Sequence, residues 1–270
     1  MNRTFFLLAF FLSMTGCAHR AADKRPSISQ VESDVGLALF SANRAGDAPQ
    51  GWEPLILLRT KPPTQYQLVN AESRVVLHAR AEAASSGLMH KVNVDPANQS
   101  WLHWQWKISG LVKGADNLQR AKEDSPVRII LGFDGDKDTL PFTDQILFET
   151  AKMVTGYDFP YATLMYIWEN NAPIGTVIRS PHSSRIKMMV AARGAEGIGE
   201  WADFARNIVE DYEAAFGEKP GRLIGVGVLT DTDNTGETVE AWYGDIRLLR
   251  ERVLHGHVLQ QPPLSLGQAK

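Results

Sequence analysis

From Trp52 onward the chain repeats short runs rich in β-branched and aromatic residues, each closed by Gly, Pro, Asn or Asp, at 53–59, 65–70, 74–80, 101–108, 127–134, 161–168, 185–192, 223–230 and 239–249. Branched and aromatic side chains pack well on a pleated, half-buried surface, and the closing residues supply the backbone angles of turns. Runs of this kind with few helical periods between them exclude alternating βαβ units. They predict a mainly β chain, an antiparallel β-sandwich of the jelly-roll kind carrying two surface helices. One helical stripe is Phe142, Ile146, Leu147, Thr150, Met153 and Val154, ending before Gly156. The other is Trp201, Phe204, Ala205, Ile208, Val209, Tyr212 and Phe216, ending at Gly217 with Pro220 beyond. Each stripe is expected to lie against the sandwich.

The N-terminus is of another kind. Arg3 precedes the apolar run 5–12, and Met14-Thr15-Gly16 leads into Cys17. A short basic segment, an apolar core and small residues are the parts of a secretory leader, and the run is too short to span about 30 Å of hydrocarbon. Cys17 is the only cysteine in 270 residues. Its position after Met-Thr-Gly resembles a bacterial lipobox, which implies acylation of Cys17 and a stable lipid anchor. Ala18 follows it in place of the Asp of an inner-membrane retention signal, so the expected location is the outer membrane, facing the periplasm. The expected organisation is a leader at 1–16, a lipidated N-terminus and tether at 17–50 that carries one strand at the apolar interruption 35–40, the sandwich at 51–252 and a loose tail at 253–270. An ordinary leader with a spare thiol is the alternative.

A single cysteine rules out an internal disulfide framework and multi-cysteine metal sites. Lys+Arg 28 against Asp+Glu 31 gives a net charge of −3, so no basic excess is available to hold a nucleic-acid backbone. The composition, 44% apolar with 7 Trp and 11 Phe, is ample for a packed core.

Several separated motifs occur in order: Tyr161-Ala-Thr-Leu-Met-Tyr-Ile-Trp168, Pro173-Ile-Gly-Thr176, Ser180-Pro-His182, Asp211-Tyr212, Phe216-Gly217, Leu229-Thr-Asp-Thr-Asp-Asn-Thr-Gly-Glu237 and Ala241-Trp-Tyr-Gly-Asp-Ile246. Together they resemble the bacterial domain of unknown function 3047 family over roughly 52–250. The resemblance implies no activity and no catalytic residue. Its overall pattern is similar to galactose-binding-like jelly rolls, an analogy of fold and not of function.

Three groups carry candidate chemistry. In Asp231-Thr232-Asp233-Asn234-Thr235-Gly236-Glu237, oxygens at positions 1, 3 and 5 with Gly at 6 suit a hard cation, so Asp231, Asp233 and Thr235 form a candidate calcium set. Position 12 is Trp242 rather than a bidentate Glu, and a hairpin whose Asx side chains close their own turn is the favoured alternative. In Asp134-Gly-Asp136-Lys-Asp138 the spacing fits a cation still less well, and a charged surface turn is expected. The third group is aromatic. Trp104, Trp106 and Tyr166 are expected in the core, whereas Trp168, before Glu169-Asn170-Asn171, and Trp242, after the acidic loop, are expected to be exposed.

The expected ligand-binding set is therefore Asp231, Asp233, Asn234, Glu237, Trp242 and Trp168. Exposed indoles beside carboxylates and amides suit an envelope glycan or another polar ligand. No G-x-S-x-G elbow or zinc-binding histidine spacing is present, and no catalytic residue is assigned. A carbohydrate-active hydrolase using the acids between Asp231 and Asp245, and a structural envelope protein, remain the alternatives.

Overall fold

Thirteen strands and two α-helices form in the computed structural model, which describes residues 37–252. In chain order they are β1 (Glu53–Leu55), β2 (Gln65–Ala71), β3 (Arg74–Glu82), β4 (Ser85–Val94), β5 (Trp101–Ile108), β6 (Ser125–Phe133), α1 (Phe142–Thr155), β7 (Ala162–Glu169), β8 (Val177–Arg179), β9 (Ile186–Arg193), β10 (Ala202–Asn207), α2 (Ile208–Phe216), β11 (Leu223–Asp231), β12 (Thr238–Tyr243) and β13 (Arg247–Leu249). The leader, Cys17 and the tail lie outside the described residues, as does the tether up to residue 36. Among the described residues no helix is long and apolar enough to cross a membrane.

The strands form two sheets. The larger runs β1-β4-β11-β6-β7-β9-β8 and the smaller β10-β5-β12-β3-β2, with β13 also on β5. All pairings are antiparallel except β7 with β9. The chain crosses between sheets at β1–β2, β3–β4, β4–β5, β5–β6, β9–β10, β10–β11 and β11–β12, which makes this a jelly-roll sandwich.

Strict alternation fills the space between the sheets. Leu102, Trp104, Trp106 and Ile108 of β5 face Leu164, Tyr166 and Trp168 of β7 in one core, with Val127, Ile129, Leu131, Val226 and Val228. Trp104 stacks on Tyr166 at 4.8 Å and on Phe204 at 4.9 Å. Trp168 belongs to this core at 2% exposure, and its indole donates to the Gly194 carbonyl at 3.0 Å. Its expected exposure is therefore corrected. Trp168 has the same parity as Leu164 and Tyr166, and strand alternation outweighs the polar Glu-Asn-Asn that follows it.

Further corrections concern single elements. β4, absent from the expected runs, lies between β1 and β11 inside the larger sheet. It starts Ser85-Ser86-Gly87, a poor strand opening. The glycine is needed because a Cβ there would strike the Val228 carbonyl of β11. The stripe beginning at Trp201 is half strand: residues 202–207 pair with β5, and the helix starts only at Ile208, where the Asn207 side chain accepts from Val209 N and Glu210 N. Leu37 and Phe40, placed by sequence in the tether, are buried in the main core beside Trp52.

α1 forms where expected and stops at Gly156, which is left-handed with φ 78°. Its face is reversed. The inward stripe is Asp144, Phe148, Ala151 and Thr155, at i, i+4, i+7 and i+11, and the expected apolar stripe is exposed. Phe148 stacks on Phe159, which meets Tyr157. Tyr157 in turn packs with Leu55, Met89, Ile130 and Leu229 on the outer face of the larger sheet.

Candidate functional site

The acidic loop joins β11 to β12, and its first residue belongs to the sheet. Leu229 and Asp231 share the parity that points away from the core, as do Ile130 and Arg128 on β6. Asp231 and Arg128 thus meet on the outer face of the larger sheet, both buried. The guanidinium is bidentate, Nε to Oδ1 and Nη2 to Oδ2, each at 3.1 Å, and Ser125 N adds a bond to Oδ1 at 2.9 Å. Burial pushes the Asp231 carboxyl from its ordinary 3.8 up to about 7, with Arg128 pulling it down and Asp124 adding to the rise. Burial opposes the Arg128 charge, but Asp231 and then Glu123 outweigh it and raise its pKa further.

Asp124, Asp231 and Asp233 each bring a carboxylate oxygen within 4.8 Å of the others. Each carboxylate is bonded to protein donors. Asp124 accepts from Asn234 N at 3.2 Å, from Thr235 N at 2.7 Å and from the Thr235 hydroxyl at 2.7 Å. Asp233 is paired with Lys61 at 3.2 Å. The Thr235 hydroxyl, expected to face a cation, donates to Asp124. The cluster is thus a turn pinned by Asp124 and neutralised by Arg128 and Lys61. Asn234 is exposed and Glu237 half-buried. Asp245, the last acid of the hydrolase alternative, holds the Ser41 hydroxyl at 2.6 Å and Arg247 at 3.1 Å. At Asp134–Asp138, Asp136 caps a short 3-10 turn through Asp138 N, as a surface turn would.

The expected ligand set is not brought together. Asp231 lies on the outer face of the larger sheet, Trp168 in the core, and Trp242 on the outer face of the smaller sheet, with opposite parity to Ala241 and Tyr243 of the core. Around Trp242 the smaller sheet gathers a group that sequence reasoning did not assemble. Cross-strand register sets His78 of β3, Trp242 of β12 and Lys107 of β5 in one row, continued by Trp201 just ahead of β10. His78 stacks on Trp242 at 5.1 Å, and the Lys107 ammonium lies 5.0 Å from the Trp242 ring and 5.2 Å from the Trp201 ring. The Arg74 guanidinium covers Trp201 at 4.4 Å and donates to Gln105, whose amide donates to Asp203. Arg80 donates to Glu240 at 2.7 Å, a bond that, with His78 at 3.2 Å, holds the Glu240 carboxyl below its ordinary range.

Alternation along 101–108 sends His103, Gln105 and Lys107 outward, and that signal is readable in the sequence. Their meeting with Trp242 and Trp201 depends on strand order, which is not.

Two partly buried indoles beside amide, carboxylate and guanidinium groups on one sheet face, opposite a sealed acidic turn, define a jelly-roll domain with an aromatic polar face. The chain belongs to the family described as protein of unknown function (DUF3047), whose model matches residues 50–247. No curated protein matches it significantly. Among solved structures it is similar to the K2 cleaved adhesin domain of Lys-gingipain, at 9% identity over 80% of this chain and 98% of that one, with a TM-score of 0.35. It is also similar to a cyclase from Fischerella sp. TAU, at 11% identity over 78% and 92% with a TM-score of 0.33. A third is the family 30 carbohydrate-binding module of a cellulosomal cellulase of Clostridium thermocellum, at 10% identity over 76% and 88% with a TM-score of 0.31. Likenesses this distant say nothing about ligand or activity.

Proposed function

We propose that this protein is a lipid-anchored envelope protein that binds a glycan on the outer face of its smaller sheet. The observation that carries the reading is the row Trp242–Lys107–Trp201 with Gln105, Asp203, Arg80 and Glu240 on the same face. Because His78 and Lys107 flank the Trp242 ring and Arg74 and Lys107 the Trp201 ring, a sugar on this face meets the indole edges with its C–H groups, while its hydroxyls pair with the carboxylates, amides and guanidinium groups around them. The salt bridges and cation–π contacts hold those groups in position before a ligand arrives, which lowers the ordering cost of binding. The lipobox at Cys17 supports a periplasmic site on the outer membrane, where envelope glycans are within reach.

The test is a glycan array, followed by titration of the strongest glycan found. Trp242→Ala and Trp201→Ala should each weaken binding about tenfold or more while the fold is retained, since a hot-spot aromatic contributes about 2 kcal/mol. Asp231→Asn should leave affinity unchanged. Full affinity in both tryptophan variants would remove this face as the site, and a loss confined to Asp231→Asn would return it to the acidic loop.

A further inference from the structure

α1 turns its apolar side to solvent. Phe142 is 74% exposed and Met153 78%, with Val154, Ile146 and Leu147 exposed beside them. At 100° per residue these five fall within about 140° of the circumference of a 14-residue helix, with Thr143 and Thr150 between them and the exposed Glu149 at one border. Scattered apolar residues on a surface are ordinary, whereas a contiguous stripe marks a surface that is covered in use. At the C-terminal end of the helix, Arg59 donates to the Thr155 carbonyl, and Leu58 next to it is 51% exposed.

We propose that this stripe lies on a phospholipid bilayer, the one holding the N-terminal acyl chains. The proposal rests on the anchor reading above and adds a second point of contact. About 20 residues separate Cys17 from Leu37, where the described chain begins. A chain of that length reaches at most about 70 Å even when fully extended, so anchored acyl chains hold the domain near the membrane. At that effective concentration a weak interfacial helix stays engaged. A stripe of Phe, Ile, Leu, Met and Val on an amphipathic helix suits the boundary between headgroups and acyl chains. The stripe's own contact is apolar: Lys137 and Lys152 are both paired with Asp158, at 2.7 and 3.1 Å, while Arg179 and His182 lie beside Leu147 at its edge. Asp144, the acid of the first turn, faces inward on Ser183 and Ser184 and leaves the exposed side free of that charge.

The experiment uses the anchored chain, purified from membranes and reconstituted in vesicles of three parts phosphatidylethanolamine to one part phosphatidylglycerol. With Cys17 acylated, Met153→Cys supplies the single free thiol for a polarity-sensitive fluorophore, and Glu196→Cys, in an exposed loop, supplies the control. The label at 153 should shift to the blue and resist an aqueous quencher, at low and high salt alike, while the label at 196 does neither. Phe142→Glu with Ile146→Glu should abolish the shift without moving the thermal midpoint, because both side chains are exposed. Flotation of the Phe142→Glu/Ile146→Glu chain, whose stripe is disabled, reads the anchor separately. If that chain floats and the label at 153 on the unaltered stripe does not shift, the docking is overturned and the anchor stands. If it does not float, the anchor is overturned; the label at 153 on the unaltered stripe, titrated with added vesicles, then keeps the docking if it shifts and overturns it if it does not.

Discussion

At the scale of single residues, Asp231 shows how burial recasts a loop acid. Its folded pKa of about 7 exceeds its ordinary 3.8, so between these values the folded state binds more protons than the unfolded state. The Asp231 contribution is therefore fully present below about pH 4 and is lost as pH rises through 7. Denaturant melts from pH 4 to 8 should show this fall, and Asp231→Asn should flatten it. A wild-type profile rising across that window would contradict the assignment. Arg128→Ala leaves the carboxylate buried without its partner and should cost about 3–5 kcal/mol in the same melts. The three acids are already bonded to Arg128, Lys61 and backbone or hydroxyl donors, so a chelator should leave the thermal midpoint within about a degree. A drop reversed by calcium would mark the cluster as a cation site. The Asp-x-Asp-x-Thr-Gly spacing was legible in the sequence. The partners were not, because Asp124 lies 107 residues and Arg128 103 residues before Asp231.

At the scale of elements, helix ends were easier to read than helix faces. Gly156 and Gly217 stop their helices in the left-handed conformation, a local property of glycine. Which side of α1 faces the sandwich is not local, since Asp144 is buried on Ser183 and Ser184 while Phe142 is exposed. Phe148→Ala should therefore cost about 3 kcal/mol and Met153→Gln less than about 0.5 kcal/mol, measured by denaturant melts. The reverse order would place the apolar stripe inward after all. Residues 202–207 carry apolar side chains compatible with either period. Pairing with β5 makes them strand, and it turns Arg206 onto Asp211 beneath Tyr166, whose hydroxyl donates to the same carboxylate at 2.6 Å.

At the scale of the molecule, the sandwich extends further toward the N-terminus than its composition suggests. Leu37 and Phe40 are buried with Trp52, and Phe40 stacks on it at 4.8 Å. A chain beginning at Gly51 should melt well below one beginning at Ser33, by the several kcal/mol that two buried apolar side chains contribute. Equal midpoints would show that 33–50 is only a tether.

What the sequence determined by itself was the content of β structure, most strand positions and the parity along each strand. These depend on neighbours two residues apart, and branched or aromatic residues bounded by turn formers encode them locally. It also carried the family motifs, which match across residues 50–247. Only the tertiary structure decided which strands stand side by side. Strand order seals Asp231 against Arg128 on one outer face, sets Trp242 beside Lys107 and Trp201 on the other, and leaves the stripe of α1 outside. Pairing partners lie up to about 160 residues apart, as β3 and β12 do, and hydrophobic pattern alone does not distinguish one partner from another.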